Sequence, residues 1–157
     1  MAKRNIYDPG DPGFTLAGSP FYLMAHADHQ YHEDMDEVLV RRGMSKSIYR
    51  IMTVLREFEP ASIGTIATVA LLKRSTVSRI VDRMLDAGLA IAQAGGEDAR
   101  ITEVTLTEAG RAKLQELTPI VNRQFVRATN GIDAADLTNL VRTMRRIVDN
   151  LSKSPIE

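Results

Sequence analysis

Apolar residues recur at three- and four-residue intervals along most of the chain, which is the pattern of amphipathic helices. The clearest run predicts a helix over residues 75–87, where Val77, Ile80, Val81, Met84 and Leu85 are apolar. Looser runs predict helices over residues 19–42, 45–59, 62–70, 107–130 and 133–152. The predicted N-caps, whose side chains accept hydrogen bonds from free helix amides, are Ser19, Ser45, Ser62 and Asp133.

The pattern changes over residues 89–106, where ITEVTL alternates β-branched and polar residues and predicts a half-buried strand. The preceding AIAQA is a weaker partner strand, and Gly95 with Gly96 starts the turn between them. In the helix that follows, Pro119 is expected to kink or split the helix.

This order predicts a mainly α fold with a small β-hairpin. Residues 45–107 have the layout of a winged helix-turn-helix DNA-binding domain: a short helix, a turn, a helix sized for a major groove, and a hairpin with an arginine near its tip. Residues 1–18, rich in Gly, Pro and Asp, are expected to form an extended N-terminal arm. Residues 19–44 and 108–157 are expected to form a helical dimerisation lobe, because little else in so small a chain covers their apolar stripes. A monomeric helical bundle is the alternative.

The segment STVSRIVDRMLDAGL, followed by D-A-R and LTEAG, resembles the multiple-antibiotic-resistance regulator (MarR) family of bacterial and archaeal transcription factors. The matching residues are Gly88 and Leu89, Asp98 and Arg100, and Leu106 and Thr107 with Gly110. The resemblance covers about residues 19–152 and implies a DNA-binding regulator.

Charge and composition narrow the class of protein. The net charge is zero, so the chain is not a generally basic nucleic-acid binder. Residues 1–40 hold two basic and seven acidic groups, and this region is expected to face away from DNA phosphates. The absence of cysteine excludes disulfides and thiolate metal sites. Short apolar runs and the lack of an apolar signal segment predict a cytoplasmic protein with no membrane partner.

The exposed side of the predicted recognition helix holds the candidate base-reading residues. These are Ser75, Thr76, Ser78, Arg79 and Arg83. Arginine can bind the O6 and N7 atoms of guanine together. Lys73 and Arg74 lie at the preceding turn, where contacts to backbone phosphates are expected. The alternative is a solvated face, with Arg79 paired with Asp82 and Arg83 paired with Asp86.

The hairpin tip holds the candidate wing residues. Arg100 is expected to enter the minor groove, whose negative potential attracts a single guanidinium. Asp98 is expected to orient Arg100 or a neighbouring cation, since a carboxylate facing DNA would repel phosphate. The alternative is an exposed surface ion pair.

Three histidines, His26, His29 and His32, recur at three-residue steps. His29 and Glu33 share a helix face, which is a spacing that suits zinc. His26 and His32 lie about 120° apart around a helix, however, and no second helix offers clear ligands. We therefore expect a polar face or a ligand-pocket lining, and no metal or other cofactor.

The resemblance implies a small, often aromatic, anionic effector bound between the helical lobe and the winged domain, where it spoils the spacing of the recognition helices. The residues expected to line this pocket are Tyr22, His26, Tyr49, Arg50, Met52, Val54, Leu117 and Val121. Arg50 is expected to meet a carboxylate. In the alternative, Met52 and Val54 are ordinary core and Arg50 pairs with an acidic residue across the dimer.

These observations predict a sequence-specific, DNA-binding transcriptional regulator. We expect a ligand-responsive repressor that acts as a homodimer on a pseudo-palindromic operator. No phosphate loop, zinc-protease motif or nucleophile elbow is present, so the chain is not expected to be an enzyme. The alternative is a winged-helix module that binds another protein and no DNA.

Overall fold

The computed structural model describes residues 5–96 and 100–153. Helices α1 to α6 and strands β1 to β3 follow one another along the chain. In order, they are α1 (Pro20–Val40), α2 (Lys46–Phe58), β1 (Ala61–Ser62), α3 (Ile63–Ala70), α4 (Arg74–Asp86), β2 (Ala90–Ala94), β3 (Thr102–Leu106), α5 (Glu108–Ala128) and α6 (Ala134–Lys153). The chain divides into two compact units, the first ending at Gln124 and the second beginning at Phe125.

The first three helices begin at the serines that the sequence predicted. The side chains of Ser19, Ser45 and Ser62 each accept a hydrogen bond from the backbone amide three residues further on. Each bond satisfies an amide that has no partner within its own helix. Helix α1 ends at Val40, two residues earlier than expected, and Gly43 takes a positive φ of 67° in the turn that follows.

The core of the first unit lies where α2, α3 and α4 pack against the sheet and against α1 and α5. Its largest side chains, all less than 2% exposed, are Leu39, Ile51, Met52, Leu55, Ile66, Val77, Met84, Val104 and Leu117. Four of the five apolar positions predicted in α4 are buried there, and Leu85 is partly buried. Burial of this one face fixes which side of α4 meets solvent.

The sheet has three strands, where the sequence predicted two. Strand β3 is central and pairs antiparallel with β2 on one side and with β1 on the other. The register places Ala61 opposite Val104 and Ala90 opposite Leu106. The two-residue strand β1 is too short to show alternation in sequence, and it extends only because β3 supplies hydrogen-bond partners.

Of the two outcomes predicted at Pro119, a kink or a split, the split is not observed, because helix α5 continues through this residue. Proline has no N–H to donate to the preceding turn, which normally weakens a helix. Here Leu117 and Ile120, on either side of the proline, are buried in the core. Packing of this face holds the helix together despite the missing hydrogen bond.

The N-terminal segment also differs from the expected extended arm. Residues 5–15 form a succession of turns and Leu16–Gly18 form a short 3-10 helix. The carboxylates of Asp8 and Asp11 accept hydrogen bonds from the amides of Gly10 and Gly13, at 2.9 and 2.7 Å. Aspartate followed by Pro-Gly therefore turns the chain back on itself.

The second unit contains the end of α5 and all of α6. Asp133 caps α6 as predicted, since its carboxylate accepts a 2.7 Å hydrogen bond from the amide of Asp136. No residue of α6 is buried. Its apolar positions include four with side chains at least half exposed, namely Leu140, Val141, Val148 and Leu151.

Candidate nucleic-acid interface and cavity

Helix α4 presents its polar residues on the face opposite the core. All the candidate base-reading side chains are exposed: Ser75, Thr76, Ser78, Arg79 and Arg83. Among the described residues, no ion pair or side-chain hydrogen bond engages Arg79 or Arg83. The pairing of these arginines with Asp82 and Asp86 is therefore not observed, and both guanidinium groups have their donors available.

The first turn of α4 lacks a side-chain cap, alone among the six helices in the described part of the chain. Its N-cap residue is Lys73, whose backbone is extended and whose side chain makes no capping bond. The corresponding positions of α5 and α6 are occupied by Thr107 and Asp133, which do cap. The first amides of α4 thus remain open beside the exposed side chains of Lys73 and Arg74. The open amides contribute partial positive charge and the two side chains contribute full positive charges. All of this charge lies at the amino-terminal end of α4.

Arg74 is also placed by a close approach to α3. The Nη2 atom of its guanidinium lies 3.0 Å from where a Cβ would stand on Gly64. Gly64 therefore gives the Arg74 side chain room to lie across the start of α3. The guanidinium therefore lies near the amino-terminal turns of both helices of the helix-turn-helix.

The wing is the β2–β3 hairpin. The strands pair from Ala90 opposite Leu106 to Ala94 opposite Thr102, and the amide of Gly95 donates a further 2.7 Å bond to the carbonyl of Ile101. Arg100 follows in the turn that connects the two strands, at the tip of the hairpin, and is exposed. The other candidate wing residue, Asp98, lies outside the described residues.

The L-T-x-x-G residues hold the end of α4 against the start of α5. The Thr107 hydroxyl donates to the carbonyl of Gly88 at 2.7 Å and accepts from the amide of Gly110 at 3.0 Å. The amide of Thr107 donates to the carbonyl of Leu89 at 3.1 Å. Gly110 is buried, and a Cβ at this position would overlap the Leu89 carbonyl oxygen. Thr107 therefore contributes hydrogen bonds, whereas Gly110 allows the two segments to pack closely.

A cavity of about 130 Å³ lies between α1 and α2 in the first unit. Of the predicted pocket residues, Tyr49 and Arg50 line it. Its other lining residues are Tyr31, His32, Met35, Leu39, Lys46 and Thr53. Its walls thus combine apolar and aromatic surface with two cationic side chains.

The remaining predicted pocket residues lie elsewhere. Met52 and Leu117 are fully buried core residues and Val54 is nearly so, because they face the packed side of their helices. Val121 is partly buried against that core. The burial of Met52 and Val54 fits the alternative that they are ordinary core residues, since periodicity cannot distinguish an apolar cavity wall from an apolar core.

Tyr22 and His26 do not line this cavity either. Their rings contact each other with centroids 4.2 Å apart. They lie near the start of α1, whereas the cavity begins at Tyr31 on that helix.

Polar groups converge at one wall of the cavity. The guanidinium of Arg50 lies with Nη2 3.3 Å from Nε2 of His32. The same Nε2 lies 3.1 Å from a carboxylate oxygen of Asp28, one helical turn away on α1. Beside Arg50 in the sequence, burial raises the pKa of the Tyr49 phenol, with a smaller contribution from Tyr31 and an opposing one from Arg56. Tyr49 therefore stays neutral and keeps its O–H as a donor.

The sequence of this chain is similar to those of known proteins. The family model described as the MarR family matches residues 42–101. The HTH-type transcriptional repressor IacR of Pseudomonas putida is 30% identical to this chain over 145 residues, which cover 92% of this chain and 87% of that protein. The chain belongs to the MarR family. The predicted resemblance is thereby confirmed.

Solved structures agree with this assignment. A MarR family transcriptional regulator from Silicibacter pomeroyi superposes with a TM-score of 0.82 at 26% identity, covering 90% of this chain and 94% of that one. BpsR of Bordetella bronchiseptica, whose DNA binding is regulated by 6-hydroxynicotinic acid, superposes with a TM-score of 0.75 at 18% identity, covering 87% and 97%. The predicted mainly α, winged-helix fold is confirmed. The MarR-family chain is a transcriptional regulator and not an enzyme.

One polar link in this MarR-family chain was not predicted from its sequence. Glu59, just after α2, accepts a 2.7 Å hydrogen bond from the amide of Leu106 and pairs with the guanidinium of Arg111. The hydrogen bond that Arg111 donates to the Glu59 carboxylate is the main cause of the raised pKa of Arg111. Glu59 thereby joins the end of α2 to the last residue of the wing and to α5. Its partners are 47 and 52 residues away, so no local pattern pointed to it.

Leu71 is a second unpredicted feature. It ends α3 in the left-handed conformation, with φ of 55°, and its side chain is 86% exposed. An asparagine or glycine would have been the usual sign of such a turn. The helix-turn-helix therefore presents a large apolar side chain to solvent between α3 and α4.

Within residues 5–96 and 100–153, no group of three or more His, Cys, Asp or Glu side chains is arranged to hold a metal ion. His26, His29 and His32 thus do not form such a group. No helix in this part of the chain is long and apolar enough to cross a membrane.

Proposed function

We propose that this chain is a cytoplasmic, homodimeric repressor that binds a pseudo-palindromic operator and is released by a small aromatic acid. The observation that carries the DNA-binding proposal is the two-sided character of α4. One face is buried in the core, and the other presents hydroxyls and two guanidinium groups that have no ion pair within the described part of the chain. Repression is proposed because the relative from Pseudomonas putida is a repressor.

In this proposal α4 enters the major groove. Arg79, with Ser75, Thr76 and Ser78, reads base edges, and Arg83 lies further along the same face. Lys73, Arg74 and the uncapped first amides of α4 bind backbone phosphates, because a helix N-terminus favours an anion. This division assigns specificity to the helix face and affinity to its amino-terminal end.

The wing completes the interface in the adjacent minor groove. Arg100 supplies one positive charge there, and its exposed position at the tip of the hairpin supports this role. Asp98 is proposed to orient a cation of the wing. Residues 45–107 then form the DNA-binding domain.

Dimerisation is proposed to use residues 19–44 and 108–157. Both segments have exposed apolar side chains, including Phe21 and Leu23 in α1 and Leu140 and Leu151 in α6. A two-fold dimer would place two α4 helices about 34–36 Å apart, one duplex turn. Light scattering that finds only monomer at micromolar concentration would contradict this.

The effector is proposed to bind the cavity between α1 and α2. Its volume of about 130 Å³ is close to the roughly 150 Å³ that holds benzene in an engineered protein cavity. Arg50 and Lys46 supply charge for a carboxylate, and the neutral Tyr49 supplies an O–H donor. Regulation of BpsR by 6-hydroxynicotinic acid, an aromatic acid, supports this class of ligand.

DNA binding is tested by a mobility-shift assay on the promoter beside the protein's own gene and on fragments of the genome. We expect a shifted band that weakens as salt rises, because bound phosphates release counterions. Failure to shift any fragment would favour the alternative module that binds protein. Footprinting of a single asymmetric half-site would argue against the dimeric operator.

Effector binding is tested by a thermal-shift panel of benzoates, salicylates and hydroxycinnamates. We expect a stabilising acid that releases DNA and loses its effect in Arg50→Ala. The matched control is Arg56→Ala, which removes an arginine of the same helix from a different cavity of about 190 Å³. Loss of the effect in Arg56→Ala alone would move the site to that second cavity.

A further inference from the structure

One nitrogen atom at the wall of the cavity has two partners with opposite requirements. Nε2 of His32 lies 3.3 Å from the guanidinium of Arg50 and 3.1 Å from the carboxylate of Asp28. Arginine can only donate a hydrogen bond, whereas an ionised carboxylate can only accept one. The bond from Arg50 requires Nε2 without a proton, and the bond to Asp28 requires Nε2 with one.

The competition between Arg50 and Asp28 for Nε2 of His32 takes place at the edge of the cavity. His32 and Arg50 both line the cavity, and the His32 side chain is 26% exposed while that of Asp28 is 73% exposed. The other titratable groups that face the cavity are Lys46 from α2 and Tyr31 and Tyr49 from the two helices. Within residues 5–96 and 100–153, the carboxylate that pairs with this nitrogen is that of Asp28, which is largely exposed to solvent.

We propose that His32 couples binding of an anionic effector to uptake of a proton. A carboxylate in the cavity draws the N–H groups of Arg50 away from His32. Nε2 then takes a proton from solvent and donates a hydrogen bond to Asp28. Because Nδ1 keeps its own proton and the carboxylate favours the charged ring, His32 becomes an imidazolium that is paired on the side away from the ligand. His32 and Asp28 are positioning residues in this scheme, since they act on the ligand through Arg50. The inference rests on the effector site proposed above.

The sign of the resulting pH dependence follows from linkage. Because the complex holds more protons than the free protein, the affinity for the acid rises as pH falls. The effect is confined to the range in which histidine side chains titrate, about pH 6–8. The dissociation constant is expected to increase by up to about tenfold per pH unit across that range. Carboxylic acids of the panel are already ionised there, so the ligand does not supply the proton.

The experiment is isothermal titration calorimetry with benzoate, salicylate and 4-hydroxycinnamate on the full chain. Titrations near pH 6.5 and near pH 8, each in two buffers of different ionisation enthalpy, give the affinity and the number of protons taken up. The test variant is His32→Gln, because a glutamine amide can accept from Arg50 and donate to Asp28 at the same time without titrating. The matched control is His29→Gln, which removes an exposed histidine of the same helix.

We expect the wild type and His29→Gln to bind the acid several-fold more weakly near pH 8 and to take up part of a proton. His32→Gln is expected to bind with the same affinity at both pH values and to take up none. Binding of an acid by the wild type with no proton uptake would overturn the inference and leave the effector site intact. Binding of none of the three acids would overturn both. Proton uptake that persists in His32→Gln would assign it to another group and would also refute the role of His32.

Discussion

Replacement of Gly110 by alanine tests the contact between α4 and α5 most directly. Gly110 lies in the first turn of α5, and its amide donates to the Thr107 hydroxyl. A Cβ there would overlap the carbonyl oxygen of Leu89 and would lie 3.2 Å from its carbonyl carbon and 3.3 Å from Cδ2 of Leu106. The Leu89 oxygen is backbone, so it cannot rotate away, and the two segments must separate.

The magnitude follows from three contributions. Overpacking in a close-packed region costs about 1–3 kcal/mol. Separation of the segments also weakens the bonds from Thr107 to the carbonyls of Leu89 and Gly88, each contributing about 0.5–1.5 kcal/mol. Alanine recovers about 1 kcal/mol relative to glycine within a helix. We expect a net loss of roughly 2–3 kcal/mol, which lowers the melting temperature by about 5–10 °C for a chain of this size.

Urea and thermal unfolding at one fixed protein concentration measure this change. The concentration must be held constant because association adds to apparent stability. Gly96→Ala is the matched control, since a Cβ at Gly96 meets nothing within 4 Å. The control should change stability by less than about 0.5 kcal/mol. If Gly110→Ala were as stable as that control, the packing of Gly110 against Leu89 would not be the tight contact described above.

Three further outcomes are expected. Arg79→Ala should relax preference at one base pair of a half-site, whereas Arg100→Ala should weaken binding to all sequences and lower the salt slope by about one per subunit; identical profiles in a binding-site selection would refute this division. Glu59→Gln should speed amide hydrogen exchange at Leu106 by roughly tenfold, because one oxygen then serves two donors; unchanged protection would contradict the link. Because the folded pKa of Tyr49 is raised, the wild type should lose stability relative to Tyr49→Phe as pH rises above about 10, and not below it; parallel denaturation curves would show that the phenol is solvated.

The sequence by itself determined the helices and their starting points. Ser19, Ser45 and Ser62 cap because each needs only the amide three residues ahead. The helical period of α4 likewise places its apolar residues on one side and Arg79 on the other, independently of what packs against the helix. These features depend on interactions within a few residues, which a linear pattern records directly.

The tertiary structure alone decided the third strand, the continuity of α5 and the cavity. Strand β1 exists because β3 lies beside it, and α5 passes through Pro119 because its neighbours are buried. Arg50 and His32 are 18 residues apart and meet only because α1 packs on α2. The same packing made Met52 core and left Tyr49 at a cavity wall. Contacts between residues distant in the chain depend on how whole faces of helices and strands fit together, and hydrophobic spacing within one element carries no information on that fit.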